Sequence, residues 1–134
     1  MRLGLFFLML LCSATGAVAQ DEPLAEYLWQ KRPVLVFADT SLDPRFVEQL
    51  SMLEREIERL EERDVVILTD TDPTILSPLR REYRPRGFQL LLIGKDGQVK
   101  LRKPFPWNVR ELSRAIDKMP MRRQEILLEK EMRE

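Results

Sequence analysis

The sequence predicts an α/β protein with a central mixed sheet of about four strands and flanking helices. One observation is a set of apolar runs without alternation, VLVFA (34–38), DVVIL (64–68) and FQLLLIG (88–94), which are typical of strands buried in a sheet. The other is the helical spacing of apolar residues in the segments between and after these runs. Strands and helices that alternate along a chain favour one sheet covered by helices.

The N-terminus has the form of a secretory signal peptide, residues 1–19, with an early arginine, an apolar core at 3–11 and an Ala-Val-Ala ending. A transmembrane anchor is the alternative, but this core is shorter than the roughly 20 residues that a span needs. A lipid-modified Cys12 would require a small residue where Leu11 stands. We therefore expect a secreted protein, most naturally in a bacterial periplasm, whose residues 20–134 form one domain without a transmembrane segment.

The composition excludes several kinds of catalytic site. Lysine and arginine number 22, as do aspartate and glutamate, so the net charge is 0 and nothing favours nucleic acid as a partner. The chain has no histidine, and its one cysteine, Cys12, lies in the predicted signal peptide. Disulfides, Ser–His–Asp triads, dithiol exchange and zinc sites with cysteine or histidine ligands are therefore excluded from the mature chain, and no cofactor is expected.

The first half of the mature chain is predicted as helix, strand and helix. Residues 23–31, PLAEYLWQK, predict a short amphipathic helix before the strand at 34–38. Asp43 and Pro44 then predict the N-cap and first residue of a helix that runs to about residue 63. Its apolar stripe has helical spacing: Phe46, Leu50, Leu53, Ile57 and Leu60. A coiled coil is the alternative, although the stripe spans barely three heptads.

The second half continues with strands. Residues 64–68 form a strand that the helix connects to the first by a parallel crossover. Ser77 begins a short basic helix, after which we expect the third strand at 88–94 and a second parallel crossover. Asp96-Gly97 predicts a tight hairpin to a half-exposed strand at 98–102, in which apolar and polar residues alternate.

The chain closes with helices, and the complete order of elements identifies a fold. Asn108 and Glu111 form a capping box for a helix at 109–119. The tail, about 120–134, has helical spacing but little apolar surface, so it either frays or pairs with a partner. After the N-terminal helix the order is β-α-β-α-β-β-α, with three buried strands and one edge-like strand, which is the order of the thioredoxin-like fold.

Three segments carry a resemblance to a known family. The segments WQKRPVLVFADTSLDPRFVEQL, GFQLLLIGKDGQVKLR and IDKMPMRRQE are similar to bacterial members of the DUDES group, a secreted domain of unknown function. Related domains occur in sushi-repeat and coiled-coil-containing extracellular matrix proteins of animals. The resemblance covers residues 24–125 and implies a thioredoxin-like fold, but no settled activity.

The loop after the first strand, residues 39–44, is where thioredoxin-like enzymes carry a reactive cysteine at the start of a helix. Ser41 and Pro44 stand approximately where a Cys-x-x-Cys pair would lie. A serine hydroxyl has neither the acidity nor the redox chemistry of a thiol. The sequence therefore predicts the fold without the thiol reaction, and no catalytic residue is assigned.

Acidic residues follow the first two predicted strands at the same end of the sheet, where α/β proteins bind ligands. With Ser41 they form a candidate binding loop: Asp39, Ser41, Asp43, Asp70 and Asp72. The four carboxylates suit Mg²⁺ or Ca²⁺, so a carboxylate-based metal site or metal-dependent enzyme is the alternative function. The competing interpretation gives these side chains to helix caps and turns, and it is the one we favour.

A basic cluster and a tryptophan form a second candidate surface, for an anion or a partner: Arg80, Arg81, Arg84, Arg86 and Trp107. Guanidinium groups suit phosphates, sulfates and acidic polymers, whereas the simpler interpretation is a solvated helix face. Trp107 follows Phe105 in a stiff PFPW segment and is expected to pack against the core or its rim.

These observations favour a non-catalytic binding protein whose partner is a protein or an envelope polymer. We expect a monomer or a weak homo-oligomer, in which the charged helix at 44–63 and the tail are the segments available for self-association. The identity of the ligand does not follow from the sequence.

Overall fold

The computed structural model describes residues 22–134, so the predicted signal peptide at 1–19 lies outside the described residues. The sheet has four strands: β1 (Arg32–Phe37), β2 (Val65–Asp70), β3 (Gln89–Ile93) and β4 (Val99–Lys103). They are arranged in the order β2-β1-β3-β4, with β1 and β2 parallel and the other two pairs antiparallel. The predicted α/β fold with a mixed four-stranded sheet is thereby confirmed.

The prediction of a second parallel crossover is wrong, because β3 runs antiparallel to β1. The helix between β2 and β3 has only six residues, Pro78–Tyr83, and so spans about 9 Å. A helix that covers a parallel crossover runs along the whole strand, about 17–20 Å. The chain instead re-enters the sheet at the end where β2 finished, with Gln89 opposite Phe37. An apolar run does not indicate strand direction when both faces of the strand are covered.

Within the described residues, five α-helices surround the sheet: α1 (Pro44–Arg55), α2 (Ile57–Glu61), α3 (Pro78–Tyr83), α4 (Val109–Asp117) and α5 (Pro120–Arg133). The single helix expected to run to residue 63 is interrupted at Glu56, whose φ and ψ of −124° and 34° are not helical. Leu53 before the break and Leu60 after it are both fully buried, so the apolar stripe keeps its role across the interruption.

The N-terminal helix expected at 23–31 is reduced to one turn of 3₁₀ helix, Ala25–Tyr27. Trp29 has a φ of 64°, which is incompatible with a continuing helix, and its N–H donates to the carbonyl of Lys95 at 2.7 Å. Leu24 is buried in the core, so the segment packs on the sheet as predicted although it is not an extended helix.

Alternating residues of the central strands divide the core between the two faces of the sheet. Val34 and Val36 of β1 face Leu53 and Leu112 of the covering helices. On the other face, Leu35 and Phe37 pack with Leu24, Leu91 and Ile93. All six residues of β1 are buried, whereas β2 forms one edge of the sheet and is mostly half-exposed. Within residues 22–134, no helix is long and apolar enough to cross a bilayer.

The C-terminal tail is a helix that an ion-pair network fastens to the sheet. Arg32 at the start of β1 is 1% exposed and holds Glu125 of α5 through two hydrogen bonds of 3.0 and 3.2 Å. Lys95 Nζ lies 2.6 Å from the same carboxylate and 2.8 Å from Asp64. Arg122 adds a further contact to Glu125 at 3.4 Å. Beyond this anchor the helix leaves apolar side chains exposed, namely Leu127, Leu128 and Met132.

Glu125 makes the stability of the fold dependent on pH. Burial opposes its ionisation, but the hydrogen bonds from Arg32 and Lys95 outweigh burial and lower the pKa of Glu125 to about 2. A lowered pKa contributes stability that is fully present above the ordinary pKa of 4.5 and is lost as the pH falls toward 2. The shift corresponds to about 3 kcal/mol at neutral pH.

Replacing Glu125 by glutamine is expected to lower the free energy of unfolding by about 3 kcal/mol at pH 7, because Arg32 and Lys95 lose their shared charge partner. Urea titrations at several pH values measure the effect. The gap between wild type and Glu125→Gln should fall to about half or less near pH 3. Glu131→Gln, an exposed site on the same helix, is the control and should change stability by less than about 0.5 kcal/mol. A gap that stays constant from pH 7 to pH 3 would contradict this assignment.

Candidate functional site

Four loops meet at one end of the sheet and form what we call the strand-end surface. They are the loops at 38–43 after β1, 71–77 after β2, 84–88 before β3 and 104–107 after β4. The strand pairing places them together, because Phe37 at the end of β1 is opposite both Asp70 and Gln89. Both predicted candidate sites, the acidic loop and the basic cluster, therefore lie at this end.

Asp43 is a helix cap, as the sequence indicated. Its carboxylate accepts a hydrogen bond from the backbone N–H of Arg45 at 2.9 Å, and its second oxygen lies 2.8 Å from the Arg45 guanidinium. The hydrogen bond from the Arg45 side chain is the main reason that the pKa of Asp43 is lowered. Asp39 and Ser41, by contrast, are exposed on the loop.

Asp70 is occupied by partners within the chain. Ser77 Oγ donates to it at 2.6 Å, and Arg80 Nε donates at 2.8 Å. Burial alone would raise the pKa of Asp70, but these two hydrogen bonds outweigh it and hold the pKa below the ordinary value. Asp72 accepts from the backbone N–H of Thr74 at 3.0 Å and so stabilises its own turn.

The predicted carboxylates do not converge on a common point. No group of three or more aspartate or glutamate side chains placed to hold a metal ion occurs in the described part of the chain. Asp43 uses both oxygens on Arg45 of α1, and Asp70 uses both on Ser77 and Arg80 at the start of α3. The geometry therefore favours caps and turns over the alternative of a magnesium or calcium site.

Arg80 is misplaced in the predicted anion surface, because it is 6% exposed rather than solvated. Its Nη2 donates to the carbonyls of Ala38 at 2.9 Å and Asp70 at 3.2 Å, and the guanidinium carbon lies 5.7 Å from the centre of the Phe37 ring. The arginine thus joins the ends of β1 and β2 and neutralises Asp70. Its role is structural, since its Nε and Nη2 are both bonded inside the protein.

Arg81, Arg84 and Arg86 remain exposed, and none of them makes a salt bridge within residues 22–134. Arg84 has a φ of 46° and a ψ of 56°, a left-handed conformation in which glycine is the usual residue at the end of a helix. It lies on the rim of a groove of about 320 Å³ that also includes Leu76, Pro85 and Arg86. The strand-end surface therefore presents three arginines without a salt bridge in the described chain, against two carboxylates without one, Asp39 and Asp72.

Trp107 packs at the rim of the core, as expected. It is half-buried against the core. The side-chain amide of Gln49 accepts from the backbone N–H of Trp107 at 2.8 Å and donates to its backbone carbonyl at 2.9 Å. Lys103 Nζ lies 5.1 Å from the centre of the indole ring. Its contacts hold the loop after β4 in place, so Trp107 is a supporting residue of the surface.

Sequence reasoning missed the apolar part of the strand-end surface. Four large apolar side chains in these loops are exposed by 52–81%: Leu42, Ile75, Leu76 and Phe105. The available signal was their position among aspartate, proline and serine residues, where helical or strand periodicity is absent. An apolar side chain in such a loop has no core position assigned to it, and these four are left in contact with solvent.

Comparison with known proteins gives a family and a fold. A family model, "Domain of unknown function (DUF4174)", matches residues 23–125. The chain belongs to the DUF4174 family. The reduced 2-Cys peroxiredoxin of Plasmodium vivax is a similar solved structure, with a TM-score of 0.58, 16% identity, and coverage of 70% of this chain and 80% of that one.

Two further solved structures are similar to this DUF4174 domain. Prx1a of Plasmodium yoelii, modified at the N-terminus, has a TM-score of 0.52 and 20% identity over 70% of this chain and 76% of that one. StoA from Bacillus subtilis has a TM-score of 0.50 and 14% identity over 64% and 82%. These likenesses show an α/β thioredoxin-like fold for the DUF4174 domain, and at such identities they show nothing about its activity.

The Arg80–Asp70 pair gives the DUF4174 strand-end surface its shape, and its loss should be costly. Arg80→Met leaves Asp70 without its cationic partner, and we expect a loss of about 3–5 kcal/mol in the free energy of unfolding. Arg81→Met, one residue along α3 and exposed, should change it by less than about 0.5 kcal/mol. Urea unfolding followed by circular dichroism measures both variants, and equal effects would show that Arg80 is not the structural member of the cluster.

Proposed function

We propose that the strand-end surface binds an acidic, apolar segment of another protein and catalyses no reaction. The observation that carries this proposal is the division of charge at that surface. The carboxylates Asp43 and Asp70 are neutralised within the chain, whereas Arg81, Arg84 and Arg86 have no salt bridge in the described residues. Asp39 and Asp72 also lack a salt bridge there, so three unpaired arginines outnumber two unpaired carboxylates, and the surface favours negative charge on its partner.

The exposed apolar side chains favour a protein over a polymer. Leu76 lines the same groove as Arg84 and Arg86, and Leu42, Ile75 and Phe105 extend the apolar area at the same end of the sheet. An anionic envelope polymer would satisfy the arginines but would leave these side chains in water. An acidic segment that also carries leucine or phenylalanine satisfies both groups.

Backbone strain at Arg84 fits a binding role. A left-handed conformation costs a non-glycine residue about 1 kcal/mol, and strain of this kind is concentrated at functional sites. The groove position of the Arg84 side chain supplies a reason to keep an arginine where glycine would be more stable. Arg81 lies within α3, the helix that Arg84 ends, and carries no such strain.

The location of the protein belongs to the same proposal. The signal peptide form of residues 1–19 supports secretion, with a bacterial periplasm as the compartment. The three segments that are similar to the DUDES group support kinship to that group and its matrix relatives. The mass of the exported protein tests this part, since cleavage after Ala19 leaves a chain that begins at Gln20.

We propose a monomer or weak homo-oligomer as the binding unit. A carboxylate-based metal enzyme is the second candidate function, and the internal pairing of Asp43 and Asp70 counts against it.

Replacing Arg84 by glycine is expected to raise the free energy of unfolding by about 1 kcal/mol, because glycine adopts the left-handed conformation without strain. Arg81→Gly is the matched control and should lower stability by about 0.5–1 kcal/mol, since Arg81 lies within a helix. Thermal and urea unfolding measure both changes. A lower stability for Arg84→Gly would remove the strain argument for a binding role.

Fluorescence anisotropy with labelled peptides tests the binding itself. A peptide that alternates glutamate with leucine should bind residues 20–134, and its lysine–leucine counterpart should not. Both Arg84→Glu and Leu76→Ser should weaken binding of the acidic peptide about tenfold or more, whereas Glu58→Gln on α2 should have no effect. Binding that is lost in Arg84→Glu but unchanged in Leu76→Ser would indicate an anionic polymer as the partner. No binding of either peptide would refute the proposal.

A further inference from the structure

A second cavity lies at the opposite end of the sheet, and we call it the basal cavity. It lies between the start of β1, the β3–β4 hairpin and the junction of α4 with α5, is partly open to solvent, and has a volume of about 600 Å³. This volume is within the range of small-molecule sites, about 300–1,000 Å³. The loops of the strand-end surface contribute nothing to its wall, so the two features are separate.

The wall of the basal cavity is largely apolar. Its apolar members include residues from five different elements or connections: Trp29, Leu92, Ala115, Met119 and Met121. Trp29 is 64% exposed, and its unusual φ of 64° is fixed by a 2.7 Å hydrogen bond to the Lys95 carbonyl. The indole is thereby held beside the cavity instead of in the core. Methionine side chains adapt readily to ligands of different shape.

The charged members of the wall are mostly cationic, and one of them is unpaired. Asp96 is the one carboxylate, against four cations: Arg32, Lys95, Lys100 and Lys118. Glu125 and Asp64 balance the first two of these, and Asp96 lies 2.8 Å from Lys100. Lys118 is exposed and has no salt bridge within residues 22–134. The cavity and its direct partners therefore carry one uncompensated positive charge.

We infer that the basal cavity binds an apolar monocarboxylate, such as a medium-chain fatty acid, with the acyl chain against the tryptophan and methionines and the carboxylate near Lys118. The single uncompensated cation matches a single negative charge, and the apolar wall matches a hydrocarbon body. At about 30 Å³ for each non-hydrogen atom, the cavity accommodates roughly twenty such atoms, more than decanoate contains. This site requires nothing from the strand-end surface.

Titration with decanoate below its micelle concentration tests the inference. Trp29 is the reporter, and Trp107→Phe in all variants removes the other tryptophan. Decanoate should change the emission saturably and raise the melting temperature, decanol should bind about tenfold more weakly, and acetate should have no effect. Equal affinity for decanol and decanoate, or a response that never saturates, would overturn the inference.

Variants of the cavity wall provide the second arm. Lys118→Glu should weaken decanoate binding about tenfold, because it reverses the uncompensated charge. Lys130→Glu makes the same change at an exposed site on α5 outside the cavity and should leave binding unchanged. Met121→Glu places a carboxylate in the apolar wall and should abolish binding while the circular dichroism spectrum stays that of the folded protein. Equal effects of Lys118→Glu and Lys130→Glu would show that the charge attraction is nonspecific.

Discussion

The ion pair between Arg32 and Glu125 joins the first residue of the central strand to the C-terminal helix. Arg32 is 1% exposed, and a guanidinium so deeply buried is strongly destabilising unless a carboxylate faces it. Glu125 is therefore required where it is, and α5 must lie against the start of β1. That position in turn places Pro120 and Met121 in the wall of the basal cavity. One buried charge thus determines both the docking of the tail and the shape of the cavity beside it.

A second buried arginine performs the corresponding task at the other end of β1. Arg80 donates to the carbonyl of Ala38, which follows β1, and to the carbonyl of Asp70, which ends β2. It also neutralises the Asp70 carboxylate. Because Arg80 pairs with Asp70, and Arg45 with Asp43, the three arginines without a salt bridge in the described chain outnumber the two such aspartates, Asp39 and Asp72. The sign of the surface potential is therefore a consequence of the pairing that holds the loops together, and it does not depend on an excess of basic residues, since the net charge of the sequence is 0.

The features that could be predicted from the sequence are those that local chemistry determines. The caps at Asp43, Ser77 and Asn108 each accept the backbone hydrogen bond that their helix start requires, so the starts of α1, α3 and α4 were predicted correctly. The break at Glu56 has no proline or glycine to signal it, and an apolar run that is buried on both faces does not reveal the direction of β3. The burial of Arg80 depends on Ala38 and Asp70, which only the folded chain brings to it.

The fixed position of β1, the strand between the strand-end surface and the basal cavity, indicates that the two act independently. Coupling between distant sites requires an element with two arrangements that both ligands bias. β1 is the element that connects the two ends, about 20 Å apart at 3.3 Å for each residue. All six of its residues are buried, and it pairs with β2 on one side and β3 on the other. A shift of this strand would break both ladders and both arginine anchors together, so it has no second arrangement of comparable energy. A ligand in the basal cavity therefore stabilises the fold without changing the affinity of the strand-end surface.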